Sequence, residues 1–126
     1  MKNQEKIKEN NDLRIIAVDF DGTIVTDNFP DIGEPIKPII SSIRHEQMNG
    51  SKIILWTCRN GEHLENAVKF CKDVLGLHFD AINENLDEIK VLYGGDTRKI
   101  FADEYWDDKA IRCGVGLYPI TVRRDK

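Results

Sequence analysis

The sequence predicts one α/β domain in which a parallel sheet lies between helices. Three observations predict it. Short, continuously apolar runs recur along the chain, starting with "IIAV" at residues 15–18, and such runs suit strands buried on both faces. Segments with apolar residues at helical spacing lie between them. The two kinds of segment alternate, as parallel strands joined by crossover helices must.

The elements follow in order. The first twelve residues, "MKNQEKIKENND", are polar and contain no apolar h-region, so they read as a polar leading segment (1–12) and not as a secretory signal. Ile15 to Val18 is the first strand. Residues 26–38, "TDNFPDIGEPIKP", hold three prolines and a glycine and predict a loop or small flap. Pro38 suits the first turn of a helix running to about Met48, with Ile39, Ile40 and Ile43 on its apolar side and Asn49-Gly50 as its stop. "KIILWT", Lys52 to Thr57, is a second buried strand. Leu64, Ala67, Val68, Cys71 and Leu75 recur at helical spacing, and Gly76 ends that helix. Phe79 to Ile82 is a third strand. Residues 83–98 allow a short helix around Leu86 and Ile89. "KIFADEYW", Lys99 to Trp106, is a fourth strand, and "KAIRCGVGLYPIT" allows one more short strand and a turn. The domain is assigned to residues 13–122 and a charged tail to 123–126.

Composition excludes several function classes. The net charge of −4 argues against a broad nucleic-acid footprint, which needs a basic face. The basic cluster Arg123, Arg124 and Lys126 reads as a solvated tail. No apolar run approaches membrane-spanning length. The three cysteines, Cys58, Cys71 and Cys113, are odd in number and lack C-x-x-C spacing, which argues against a disulfide framework or zinc site and suits a reducing cytoplasm.

The chemistry collects where strands end. Asp19 and Asp21 follow the first strand, and burying two like charges so close together is costly unless a cation, a basic side chain or a reaction accounts for them. In open parallel sheets ligands bind beyond the carboxyl ends of the strands. Thr57 ends the second strand, and Asp107 and Asp108 follow the fourth, so these residues fall on that same edge. Four acids with oxygen donors and no thiolate–imidazole set suit a hard cation, Mg2+ above all. A carboxylate beside a bound phosphate can attack phosphorus, and a neighbouring acid can move the proton. A hydroxyl and an ammonium complete a cradle for the phosphoryl group. Lys99 can join them if it arrives on an approach loop rather than on the strand.

These residues carry a resemblance. "DFDGT" at 19–23 resembles the D-x-D-G-T signature of the haloacid dehalogenase-like (HAD) hydrolase superfamily. Thr57, Lys99 and the pair Asp107–Asp108 resemble its second, third and fourth motifs, in the same order over roughly residues 14–113. The resemblance implies a three-layer Rossmann-like domain and a Mg2+-dependent phosphatase working through an aspartyl-phosphate. It implies Asp19 as nucleophile and metal ligand, and Asp21 as general acid/base with its backbone carbonyl on the metal. It implies Thr57 and Lys99 as phosphate-binding groups, and Asp107 and Asp108 as metal ligands. An Asp two places after the nucleophile marks the phosphatase branches. Neither gap between motifs holds a cap domain, so the chain is similar to the small capless sugar-phosphate phosphatases. Those assemble as oligomers, which implies a small phosphorylated substrate and a homo-oligomer whose neighbouring subunit covers the mouth.

The same residues allow other readings. A receiver-like phosphoacceptor module also uses acids, a Thr, a Lys and Mg2+, but its phosphoacceptor Asp ends a middle strand, where this chain has "INEN". A degenerate phosphate-binding HAD domain would lack one of the expected side chains. A cysteine phosphatase needs an Arg downstream of its Cys where Leu64, Leu77 and Pro119 stand here. Arg98 and Lys90 are rivals for the role of Lys99. Arg59 and Asn60 sit at the mouth, where substrate contact and a solvated loop are both open. His45, His63 and His78 lack metal-ligand spacing, and Trp56 and Trp106 read as core.

Overall fold

The computed structural model describes residues 13–113. Four strands, β1 (Ile15–Val18), β2 (Lys52–Leu55), β3 (Ala81–Ile82) and β4 (Glu104–Trp106), form one sheet in the order β3-β2-β1-β4, with every neighbouring pair parallel. Three helices, α1 (Lys37–Met48), α2 (Gly61–Asp73) and α3 (Asp87–Tyr93), connect them. The arrangement is α/β and compatible with a Rossmann-like domain.

Alternation along the strands explains why their sequences are apolar throughout. Ile16, Val18, Ile53 and Leu55 face one side, where Ile40 and Ile43 of α1 and Ala67 and Cys71 of α2 pack on them. Ile15, Ala17 and Ile54 face the other side, against Leu86, Ile89 of α3, Ile100 and Ala102. Both faces of β1 and β2 are therefore covered, and no position in β1 is free to be polar. α1 carries a proline in its first turn and ends at Asn49, with Gly50 at φ +90° turning the chain back into β2.

The observed strands are shorter than the sequence suggests. β2 stops at Leu55, and β3 has two residues. β4 begins at Glu104 and not at Lys99, for an identifiable reason. Asp103 is the point at which the chain reaches the start of β1: its N–H donates to the Ile15 carbonyl at 2.7 Å, and its carboxylate accepts from the Ile15 N–H at 2.8 Å. The residues before it run across the face of the sheet, burying Ile100 and Ala102, while the Asn85 side-chain oxygen accepts from the Phe101 N–H at 2.7 Å. That backbone is satisfied by a side chain rather than by a ladder. The ambiguous segment resolves as α3, stopped by Gly94 at φ +76°. Residues 109–113 form no regular element, and the rest of the additional strand suggested there lies outside the described residues, as do the polar leading segment and the tail. Among the described residues no helix is long and apolar enough to cross a membrane.

This packing fixes where truncation hurts. Ile53 is fully buried under α1 and α2, so Ile53→Ala should cost about 2–5 kcal/mol in urea unfolding. Val74→Ala, at a 64% exposed position just past α2, should stay within about 0.5 kcal/mol of the parent.

Candidate functional site

The site grows out of the strand register. Val18 pairs with Leu55 on one side and Trp106 on the other, and the ladder continues one step further. The Asp19 N–H donates to the Trp106 carbonyl at 2.9 Å, and the Trp56 N–H to the Val18 carbonyl at 2.9 Å. Asp19 is thereby held between the ends of β2 and β4, beside Asp107. Carboxylate oxygens of Asp19, Asp107 and Asp108 all come within 4.8 Å of one another.

The turn after Asp19 shapes this cluster. Gly22 adopts φ +89°, and a Cβ there would collide with the Asp108 carboxyl. The Thr23 hydroxyl, buried beneath the turn, accepts from the Asp108 N–H at 3.2 Å. Gly22 and Thr23 are thus the floor and the hook that let Asp108 close on Asp19. Their value was visible in the sequence only as part of a motif, not as a contact.

Electrostatics make the cluster a strained one. Burial, and then the nearby Asp107 carboxylate, push the Asp19 carboxyl up to about 7. A divalent cation among these oxygens would reverse both effects, because it replaces lost solvation and outweighs the repulsion. The donors are all carboxylate oxygens, with no sulfur or imidazole among them, which is the set that Mg2+ prefers. The residues fit the ion.

Asp21 goes elsewhere. Its two carboxylate oxygens receive the Arg59 guanidinium in a fork, from Nε at 2.8 Å and from Nη2 at 2.8 Å. Arg59 is only 2% exposed, so the solvated-loop reading does not hold for it. Of the accounts that a close acid pair calls for, Asp19 fits a cation and Asp21 has a basic side chain, Arg59. The loop after β2 is tied down by Asn83, whose side-chain oxygen accepts from the Thr57 N–H at 2.8 Å while the Thr57 hydroxyl accepts from the Arg59 N–H at 3.1 Å. Asn83 itself sits at φ +55°, an uncommon conformation that Asn tolerates better than most residues.

Asp19, Asp21, Thr57 and Asp107 line one hollow of about 390 Å3, together with Asp27, Phe29, Cys58, Arg59 and Lys109. The structure does not bring Lys99 to it. Lys99 is exposed and lines a separate hollow with Tyr93, Thr97 and Tyr105, because the chain passes it before Asp103 anchors at the start of β1, the opposite edge from Asp19. Its rivals are absent too: Lys90 pairs with Glu84 at 2.6 Å, and Arg98 is exposed and does not line the hollow. Among the described residues the ammonium at this edge belongs to Lys109, 3.2 Å from the Asp108 carboxylate. Sequence reading overlooked Lys109, although its signal was plain: a cation directly after an acid pair at a strand end. Asp27 and Phe29 were overlooked as wall residues because a proline-rich flap carries no periodicity.

A solved structure similar to this chain is that of a conserved protein from Bacteroides thetaiotaomicron. The two are 39% identical, with a TM-score of 0.66 and a match covering 84% of this chain and 81% of that one. No protein-family model matches the chain, and no curated protein matches it.

Two outcomes follow from the crowded carboxylates. Because its folded-state value is raised, the stability Asp19 contributes is full below the ordinary carboxylate range and is lost as the pH rises through about 7. Mg2+ should therefore raise the Tm more at about pH 8 than at about pH 5.5, and Asp19→Asn should abolish that difference in a thermal melt. Gly22→Ala should weaken Mg2+ binding at least about tenfold in calorimetric titration, since second-layer changes at metal sites commonly cost about that much.

Proposed function

We propose that this chain, which belongs to the same family as the conserved Bacteroides thetaiotaomicron protein, is a Mg2+-dependent phosphomonoesterase of the capless HAD type. One observation carries the reading: Asp19, Asp107 and Asp108 converge at the end of β1, and Asp19 and Asp107 share a hollow with Asp21, Thr57 and Lys109. The sequence resemblance supplies the chemistry, and the geometry supplies groups to perform it.

In this reading Asp19, Asp107 and Asp108 would hold the ion, which would neutralise phosphate charge. An Asp19 oxygen attacks phosphorus, and the bond to the leaving oxygen breaks. Asp21 gives that oxygen its proton, then takes one from the water that attacks the aspartyl-phosphate and frees Asp19. The Thr57 hydroxyl donates to a phosphoryl oxygen. Lys109 takes the role that the resemblance gave to Lys99, since an ammonium must sit beside the transferring group to offset its charge. A hollow of this size suits a small ester, and a sugar phosphate is the class that the resemblance implies.

The test is turnover of a panel of phosphorylated metabolites by purified protein with and without Mg2+. Steady, chelator-sensitive release of phosphate is expected. Release of one phosphate per chain would favour a receiver-like module instead, and no release a degenerate phosphate binder. Asp19→Asn should trap no phosphoenzyme in acid quench, whereas Asp21→Asn should still trap some from an ester with a good leaving group. Lys109→Ala should lower kcat/KM by about a hundredfold or more while Lys99→Ala stays near the parent; the reverse pattern would return the basic role to Lys99.

A further inference from the structure

The side chain that the proposed chemistry leaves unused is also the most deeply buried charge among the described residues. Arg59 is 2% exposed and has all five of its guanidinium N–H groups engaged. Two go to Asp21. Two go to the flap, one from Nη1 to the Pro30 carbonyl at 3.1 Å and one from Nη2 to the Asp31 carbonyl at 2.8 Å. The fifth goes from Nη1 to the His63 carbonyl in the first turn of α2, at 3.2 Å. The guanidinium carbon also lies 5.0 Å from the centroid of Phe20 and 5.1 Å from that of Phe29.

We infer that Arg59 is a positioning residue that couples the flap to Asp21, so that the flap's seat sets the aim of the proton-transferring carboxyl. The inference rests on reading Asp21 as the general acid/base. The guanidinium is planar and its fork is rigid, so it cannot shift toward the flap without turning the carboxylate it grips. Nor can it drop the flap carbonyls freely, because a buried donor left unpaired carries its full desolvation cost. Phe29 lies on the same flap, lines the hollow and is half exposed, so a leaving group seated there presses on the element that Arg59 holds. A merely structural arginine could tie flap to helix through backbone carbonyls alone. Here the remaining partner is the acid/base itself.

Such coupling predicts selective damage. An ester with a good leaving group hardly needs the proton, whereas an alkyl phosphate depends on it. Arg59→Lys keeps the charge and removes the fork. Gly33→Ala acts from a distance, since a Cβ at Gly33 would overlap the Thr26 carbonyl at the neck of the flap. Hydrolysis of p-nitrophenyl phosphate and of glycerol phosphate would be compared with saturating Mg2+ in the parent and in both variants. The expected result is a loss in kcat on glycerol phosphate at least about tenfold greater than on p-nitrophenyl phosphate, in both variants. Equal losses on the two esters, or a change confined to KM, would overturn the coupling. If Arg59→Lys does not fold, Gly33→Ala decides by the same ratio. A parent protein inert toward both esters would instead overturn the phosphomonoesterase reading on which the coupling depends.

Discussion

Carboxylates crowded at the end of a buried strand are the constraint on which the rest of the arrangement turns. Asp19 sits where it does because β1 is the inner strand between β2 and β4, and the ladder runs one residue past its end on both sides. The same ladder delivers Asp107 to it. Without a compensating cation this is an unfavourable assembly, and the raised Asp19 is its signature. The surrounding structure over-determines it: two buried cores fix the strands, and the Gly22–Thr23 turn leaves room for Asp108 and holds it. Strain of this kind persists only where packing elsewhere supports it.

A second, opposite solution operates a few ångströms along the chain. Asp21 has its charge met by a protein cation that is itself completely satisfied. Buried ion pairs contribute little net stability against an apolar replacement, but they are specific in geometry. Here specificity is the useful property. One guanidinium sets the relation between the β1 turn, the flap that follows it and the first turn of α2, about thirty residues further on.

Much of this was legible in the residues. Unbroken apolar strands, helical spacing between them and acids at strand ends were enough to expect a parallel sheet with helices on both faces and to gather Asp19, Asp21, Thr57, Asp107 and Asp108 on one edge. The rest failed for physical reasons. "KIFADEYW" looks like one strand, yet only its last three residues pair, because the side chains of Asn85 and Tyr105 satisfy the earlier backbone and Asp103 turns its carboxylate onto the Ile15 N–H. A strand's first residue decides which edge its flanking cation serves, and so Lys99 went to the wrong side. Arg59 looked like a loop residue because its partners, Asp21, Pro30, Asp31 and His63, are carbonyls and an acid that no local pattern brings together. The one available clue was Asp21 itself, an acid in need of a counter-charge.

The trimmed strands have a bearing on the molecule's behaviour in concentrated solution. β3 contributes two residues and β4 three, and among the described residues these two are the outer members of the sheet. An unpaired edge is a template on which a stray extended chain can add, and its reach is set by the number of free backbone groups in line. Edges this brief give an incoming strand almost no ladder to climb. The longest pairing among the described strands, the four positions of β1 with β2, is confined to the interior, where a neighbouring molecule cannot read it.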